Sequence, residues 1–150
     1  MQSNSDFEEI VLAFNAAEVN YLIVGAYALA AHTRPRATGD IDLWVEASSA
    51  NARRVFRALA AFGAPMDQLD QETFAQPDLV FQIGIAPIRI DVLTSIDGVT
   101  FEEAWPNRVA STIGCAPTNV IGREDLIRNK QSSGRAQDLA DLERLAQDRR

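Results

Sequence analysis

The stretch Thr38–Glu46, TGDIDLWVE, places two aspartates one residue apart at the start of an otherwise apolar segment. Side chains alternate between the faces of a β-strand, so Asp40 and Asp42 would share one face while the apolar residues beside them enter a core. A divalent cation between the two carboxylates would offset their repulsion, and oxygen ligands of this kind suit Mg²⁺. Alternatively, the strand end projects into water and both aspartates are simply solvated, because the pattern D-x-D alone is not specific.

A third carboxylate, Asp91, lies in the apolar run Ile88–Leu93, IRIDVL. An isolated carboxylate in such a run is costly to bury without a cation or hydrogen-bond donors. Arg89 lies two residues away on the same face of the strand and could be an ordinary ion-pair partner. In the other interpretation, Asp91 lies on a strand adjacent to Asp40 and Asp42 and completes a two-metal site.

Groups that could bind an anion precede the two aspartates. At Val24–Ala26 a strand passes through a turn at Gly25 into a helix, whose first backbone N–H groups could bind phosphate. Arg34 and Arg36 could reach phosphate oxygens, or could instead neutralise the acidic strand from the surface. A turn of this kind is common in α/β folds, so it indicates a phosphate site only if it lies close to the carboxylates.

Hydrophobic periodicity and turn residues predict a mixed α/β (α+β) fold, with a sheet of about five strands flanked by helices. A capping box at Ser5 and Glu8 would open a first helix that extends to about Glu18. The other expected elements are strand Tyr21–Val24, helix Ala26–Thr33, strand Thr38–Glu46, a helix from Ser48 or Ser49 to Phe62, a hairpin of Leu79–Ile85 and Ile88–Thr94, a helical turn at Phe101–Trp105, a strand at Arg108–Ile113, and helices Arg123–Gln131 and Ala136–Gln147. We expect a single domain over residues 1–150, with a core at about 1–115 and a C-terminal helical pair at about 121–148.

Composition excludes several classes of protein. A net charge of −7 argues against a general nucleic-acid coat, since nonspecific binding of that kind depends on Lys and Arg. One cysteine and one histidine exclude an internal disulfide and a Cys/His zinc cluster, so a bound metal would need oxygen ligands. The polar N-terminus and the short apolar runs predict neither a signal peptide nor a membrane span, so we expect a cytoplasmic protein.

The run YLIVGAYALAAHTRPRATGDIDLWVE, residues 21–46, resembles the core of the nucleotidyltransferase superfamily with the DNA polymerase β-like fold. The pattern of that family is a strand, Gly-Gly or Gly-Ser, a spacer, and then an aspartate, an apolar residue and a second acidic residue. Here thirteen residues separate Ala26 from Asp40, Asp42 is the second acidic residue, and Asp91 matches the third carboxylate of the family. Ala26 departs from the pattern, because it offers a phosphate its backbone N–H but no hydroxyl.

The segment IGREDLIRNKQSSGRAQDLADLERL, residues 121–145, resembles the last helices of small bacterial nucleotidyltransferases that include abortive-infection type IV toxins. In those proteins a helix lysine and an aspartate face the nucleotide, and the matching positions are Lys130, Arg135 and Asp138. On the residues alone, Lys130 could equally lie on a solvated helix face.

The resemblance implies a Mg²⁺-dependent enzyme, with Mn²⁺ as the alternative metal, that moves a nucleoside monophosphate from a nucleoside triphosphate to an acceptor hydroxyl and releases pyrophosphate. It implies that Asp40, Asp42 and Asp91 are the metal ligands and catalytic residues. The implied nucleotide contacts are Gly25, Ala26, Arg36, Thr38, Lys130 and Asp138. The acceptor could be a tRNA, a protein or a small molecule, and the toxin resemblance implies an antitoxin-type partner. The alternative is a catalytically degenerate module of the same fold that binds a nucleotide or a protein partner.

Overall fold

The computed structural model describes residues 2–34, 39–85 and 88–148, without the side chains of residues 2–4 and 85. Within these ranges the α-helices are α1 (Gln2–Ala16), α2 (Gly25–His32), α3 (Ser49–Phe62), α4 (Phe101–Ala104), α5 (Arg123–Ser133) and α6 (Ala136–Gln147). The strands are β1 (Tyr21–Val24), β2 (Asp40–Val45), β3 (Val80–Ile85), β4 (Ile88–Leu93), β5 (Val109–Ile113) and β6 (Ala116–Val120). Short 3₁₀ helices lie at Thr73–Ala75 and Trp105–Asn107. Helices and strands alternate early in the chain and a helical pair follows the last strand, as the sequence predicts.

The described strands form one mixed sheet in the order β3-β4-β2-β1-β6-β5. Strand β2 lies inside this sheet, antiparallel to β1 on one side and parallel to β4 on the other. The outer pairs β3/β4 and β5/β6 are antiparallel, whereas β1 and β6 are parallel. The expected mixed sheet flanked by helices is therefore confirmed, with one strand more than expected.

Strand β2 is anchored by its apolar face. Ile41, Leu43 and Val45 are all fully buried, and alternation puts Asp40 and Asp42 on the opposite face. Helix α1 packs against α3, while α5 packs against α6 and contacts α2. Packing in the core therefore holds the apolar face of β2 in place. The opposite face, which carries Asp40 and Asp42 and is called the acidic face below, is left for other contacts. None of the described helices has the length and apolarity that would be needed to cross a membrane.

Helix α3 begins and ends at the residues that the sequence predicts. The Ser48 hydroxyl accepts a hydrogen bond from the backbone N–H of Asn51, which is a standard N-terminal cap. Gly63 ends the helix with φ at 95°, a left-handed conformation that favours glycine. The expected hairpin of β3 and β4 is also confirmed by their antiparallel pairing, and the link at residues 86–87 lies outside the described residues.

The predicted capping box of α1 is wrong. The helix begins at Gln2, so Ser5 lies inside it and is not its N-cap. The carboxylate of Glu8 instead accepts a hydrogen bond of 2.7 Å from the backbone N–H of Cys115, in the turn between β5 and β6. Glu8 therefore joins the first helix to a hairpin more than a hundred residues away, a contact that local sequence does not encode.

Strand β6 is the element that the sequence does not predict. Pro117 lacks a backbone N–H, and proline inside an apolar run argues against an interior strand. In the sheet, Pro117 pairs with Thr112 of β5, while β6 meets β1 at the far end of the strand, where Val120 lies opposite Ile23. The missing N–H is tolerated because the proline lies away from the junction with β1.

Candidate functional site

Strand pairing brings the predicted carboxylates together. Asp42 of β2 lies opposite Asp91 of β4, and Asp40 lies opposite Arg89. On its other side, Asp42 lies opposite Val24, the last residue of β1. Side chains at paired positions point to the same face of a sheet, and a shift of one residue would reverse this. The parallel register of β2 and β4 therefore places all three carboxylates on one face, as the two-metal interpretation requires.

Gly25 brings the start of α2 against Asp42. Its φ is 72°, a left-handed conformation that glycine adopts at little cost. A Cβ at this position would overlap the Oδ2 atom of Asp42, so the lack of a side chain is also needed for space. The first N–H groups of α2, including that of Ala26, have no partners within the helix, and its N-cap residue Val24 provides no side-chain hydrogen bond. An anion could therefore bind at this helix start, directly beside the carboxylates.

The electrostatics of the cluster are concentrated on Asp42. The pKa of its carboxyl is raised from 3.8 to about 7, first by burial and then by the negative charges of Asp91 and Asp40 and a hydrogen bond with Asp91. The positive charge of Arg89 acts in the opposite direction. Without a bound cation, Asp42 therefore gains or loses its proton near neutral pH.

Arg89 also holds the acidic face together. Its Nε donates to Oδ1 of Asp91 at 2.9 Å and its Nη2 donates to Oδ2 of Asp91 at 3.2 Å. The same Nη2 lies 3.5 Å from Oδ2 of Asp40. Asp91 is buried, with 6% of its surface exposed. The ion pair that the sequence leaves open for Asp91 is therefore present, together with a second contact to Asp40 that the sequence does not indicate.

The chemistry of these donors fits a divalent cation, although Arg89 now engages several of them. Carboxylate oxygens are the ligands that Mg²⁺ prefers in proteins, and the cluster sets three carboxylates against the single guanidinium of Arg89. In the described ranges, no group of three or more His, Cys, Asp or Glu side chains is arranged around a common metal position. A metal bound by Asp40, Asp42 and Asp91 would therefore require Arg89 to release Asp91.

Lys130 and Asp138 lie in a buried ion-pair network between α5 and α6. The Nζ of Lys130 lies 2.9 Å from Asp141 and 3.5 Å from Asp138, and all three side chains are buried. Asp138 also accepts hydrogen bonds from the side chain and the backbone N–H of Arg135. The solvated helix face considered for Lys130 is therefore wrong. A nucleotide contact by Lys130 or Asp138 stays a prediction.

Two predicted nucleotide contacts, Arg36 and Thr38, lie outside the described residues. Just before that segment, Arg34 is exposed and its Nε lies 3.8 Å from a carboxylate oxygen of Asp148. Arg34 and Arg144, near the end of α6, line a common cavity of about 440 Å³. Arg34, just after α2, and Arg144, in α6, thus lie at one cavity, and a phosphate contact by Arg34 stays a prediction.

Comparison with known proteins identifies the fold. No protein-family model and no curated protein matches the sequence. Among solved structures, the antibiotic-resistance factor ANT(2″)-Ia is similar over 97% of this chain and 83% of that chain, with a TM-score of 0.65 and 15% identity. A protein from Thermotoga maritima, provisionally assigned as a nucleotidyltransferase, is similar over 94% of this chain and 90% of that chain, with a TM-score of 0.60 and 13% identity. The chain therefore has the nucleotidyltransferase fold.

Proposed function

We propose that this protein is a Mg²⁺-dependent nucleotidyltransferase that moves a nucleoside monophosphate from a nucleoside triphosphate to an acceptor hydroxyl. The proposal depends mainly on one observation: Asp40, Asp42 and Asp91 share one face of the sheet directly beside the Gly25 turn. Carboxylates are suited to bind metal and a helix start is suited to bind phosphate, so their contact suits a metal–triphosphate complex. The fold is shared with the Thermotoga maritima protein that is provisionally assigned as a nucleotidyltransferase, which supports this chemistry.

Each residue of the cluster has a distinct role in the proposed reaction. Asp40 and Asp42 would hold metal ions at the triphosphate, and Asp91 would serve the ion on the acceptor side. The N–H groups of Gly25 and Ala26 would donate to phosphate oxygens. The acceptor oxygen would form a bond to the α-phosphorus and lose its proton to solvent water, while the bond from the α-phosphorus to the bridging oxygen breaks and pyrophosphate leaves. Bound Mg²⁺ would supply Lewis-acid stabilisation of the charge on these oxygens.

The proposal also covers the acceptor molecule and the biological role of the transfer. A tRNA, a protein or a small molecule could supply the hydroxyl, and the resemblance to abortive-infection toxins favours a toxin with an antitoxin-type partner. Labelling a cell extract with radioactive triphosphates in the presence of Mg²⁺ would identify the acceptor by its chemical class. Digestion with ribonuclease or protease then separates the macromolecular acceptors from small molecules.

A degenerate nucleotide-binding module is the second candidate, and one contact favours it. Arg89 binds both oxygens of Asp91, so a cationic side chain already engages the carboxylate that the acceptor-side metal would need. Ala26 also departs from the Gly-Gly or Gly-Ser pattern of the family that the sequence resembles, and it offers no hydroxyl. A module of this kind would bind a nucleotide and release no pyrophosphate.

The Asp91→Asn variant tests the transferase against the degenerate nucleotide-binding module and against a purely structural role of Asp91 as the ion-pair partner of Arg89. Asparagine keeps the shape of the side chain and removes its charge, so Mg²⁺–triphosphate affinity should stay close to that of the wild type. Transfer should fall by several orders of magnitude, because a metal-positioning group is lost. Asp67→Asn, at an exposed position outside the site, is the matched control. Calorimetry, pyrophosphate release and melting temperature are measured on the same preparations.

Two outcomes would contradict the proposal. Equal thermal stabilisation by triphosphate in Mg²⁺ and in EDTA would rule out a shared metal–triphosphate site. An Asp91→Asn variant that melts early but turns over normally per folded molecule would show that Asp91 only pairs with Arg89.

A further inference from the structure

Arg89 lies where it competes with a metal ion for the same oxygen atoms. Its guanidinium binds both carboxylate oxygens of Asp91 at 2.9 and 3.2 Å, and the shared Nη2 lies 3.5 Å from Asp40. A bidentate pair of this geometry is among the strong charge-assisted contacts in proteins. A divalent cation that binds Asp91 therefore competes with these contacts, and an Arg89 side chain that is displaced needs another acceptor.

We propose that Arg89 is an internal counter-ion that makes metal binding depend on the triphosphate, because the triphosphate accepts the guanidinium that the metal displaces. This inference rests on the proposed function, since it assumes that both ligands bind at this cluster. Arg89 is then a positioning residue that exchanges Asp91 for phosphate oxygens as the metal and nucleotide arrive together.

The exchange follows from the charges at the site. A divalent cation alone would gain Asp91 but would leave an arginine charge beside it without its acceptor, which costs free energy. A triphosphate provides several anionic oxygens, two of which a guanidinium can bind at once. The Arg89 side chain is 32% exposed, so it can turn away from Asp91 without first leaving a closed core. Metal and triphosphate should therefore bind with positive coupling, which must be equal in both directions.

Calorimetric titration with Mn²⁺, with and without a non-hydrolysable ATP analogue, measures this coupling. For the wild type we expect weak binding of Mn²⁺ alone and at least about tenfold tighter binding when the analogue is present. Arg89→Gln should bind Mn²⁺ alone about tenfold more tightly than the wild type and should show weaker coupling, because the direct bonds between Mn²⁺ and the triphosphate remain. Arg53→Gln removes the same charge at an exposed ion pair with Glu72, outside the site, and should behave like the wild type.

A second variant, Arg89→Lys, keeps the test decisive if Arg89→Gln misfolds. Arg89→Lys keeps the positive charge but cannot bind both oxygens of Asp91 through one planar group, so its affinity for Mn²⁺ alone should be intermediate. Melting temperatures in EDTA are recorded for every variant. A purely structural Arg89 would lower the melting temperature and leave the affinity for Mn²⁺ unchanged, and that result would overturn the inference.

The remaining outcomes separate this inference from the proposed function. If the wild type binds Mn²⁺ with the analogue but Arg89→Gln gains no affinity for Mn²⁺ alone, the inference is wrong and the proposed function stands. If neither the wild type nor any variant binds Mn²⁺ even with the analogue, both are wrong. Tighter binding of Mn²⁺ alone by Arg89→Gln, with weakened coupling and an unchanged Arg53→Gln control, would support both.

Discussion

The stability of the metal-free protein should depend on pH through Asp42. Burial, followed by the charges of Asp91 and Asp40, raises the pKa of this carboxyl from 3.8 to about 7 in the folded protein. Between these pH values the folded chain holds a proton that the unfolded chain has lost. The resulting stabilisation is fully present below about pH 3.8 and is lost as the pH rises through about 7. Substituting Asp42 with asparagine, which has the same shape and no proton to lose, should abolish this dependence.

The size of the effect follows from the same shift. One pKa unit is worth about 1.4 kcal/mol, so the full span from 3.8 to about 7 corresponds to about 4 kcal/mol. In the unfolded chain Asp42 is already largely ionised at pH 5. The change in unfolding free energy between pH 5 and pH 8 is therefore about 3 kcal/mol. Over that range the wild type should lose about 3 kcal/mol of unfolding free energy relative to Asp42→Asn.

Urea denaturation in EDTA at the two pH values, followed by tryptophan fluorescence, measures this difference. Asp67→Asn, at an exposed position outside the site, is the control and should keep the pH dependence of the wild type. Parallel pH profiles for the wild type and Asp42→Asn would refute the reasoning, because they would mean that Asp42 is ionised in the folded protein throughout this range.

Two further substitutions test the surroundings of the site and the C-terminal helices. Gly25→Ala should lower stability by about 1–3 kcal/mol and abolish stabilisation by Mg²⁺–triphosphate in a thermal shift assay, because its Cβ would displace the Asp42 carboxylate. Gly63→Ala also has an unfavourable positive φ, 95° compared with 72° at Gly25, but has nothing within 4 Å of its Cβ, so equal behaviour of the two variants would contradict this explanation. Lys130→Met should cost about 3 kcal/mol in urea denaturation, because it leaves Asp141 charged and buried without its cation. Recovery of part of that loss by adding Asp141→Leu would support this reason, whereas a near-neutral Lys130→Met would contradict it.

The carboxylate cluster was predictable because each of its members is encoded locally. Alternation along β2 fixes the shared face of Asp40 and Asp42, and the apolar run around Asp91 marks it as a buried charge that needs a partner. The turn at Gly25 is recognisable for the same reason, since a strand followed by glycine and a small-residue helix is a short-range pattern. What joins these local patterns is the family resemblance, which matches Asp91 to the third carboxylate of the same site.

Contacts that depend on strand register or helix pairing were not predictable. The approach of Arg89 to Asp40 exists only because β2 and β4 pair in parallel with these two residues opposite each other. Burial of Lys130 likewise depends on how α6 packs on α5, which brings Asp141 within 2.9 Å. Polar residues on a helix predict exposure unless the partner helix is known, so Lys130 looks solvated in the sequence and is buried in the fold.

A proton and a guanidinium together stabilise the acidic face in the absence of ligand, and they respond to different conditions. The proton is held by Asp42 against Asp91 and leaves as the pH rises through about 7. Arg89 keeps its charge at any physiological pH, so raising the pH frees Asp42 while both oxygens of Asp91 remain bound to the guanidinium. Alkaline pH alone should therefore not make the cluster ready for two metal ions. Asp42→Asn should therefore alter the pH dependence of stability, whereas Arg89→Gln should alter the affinity for Mn²⁺ alone. The first substitution removes the proton that competes with a metal ion, and the second removes the guanidinium that competes with it.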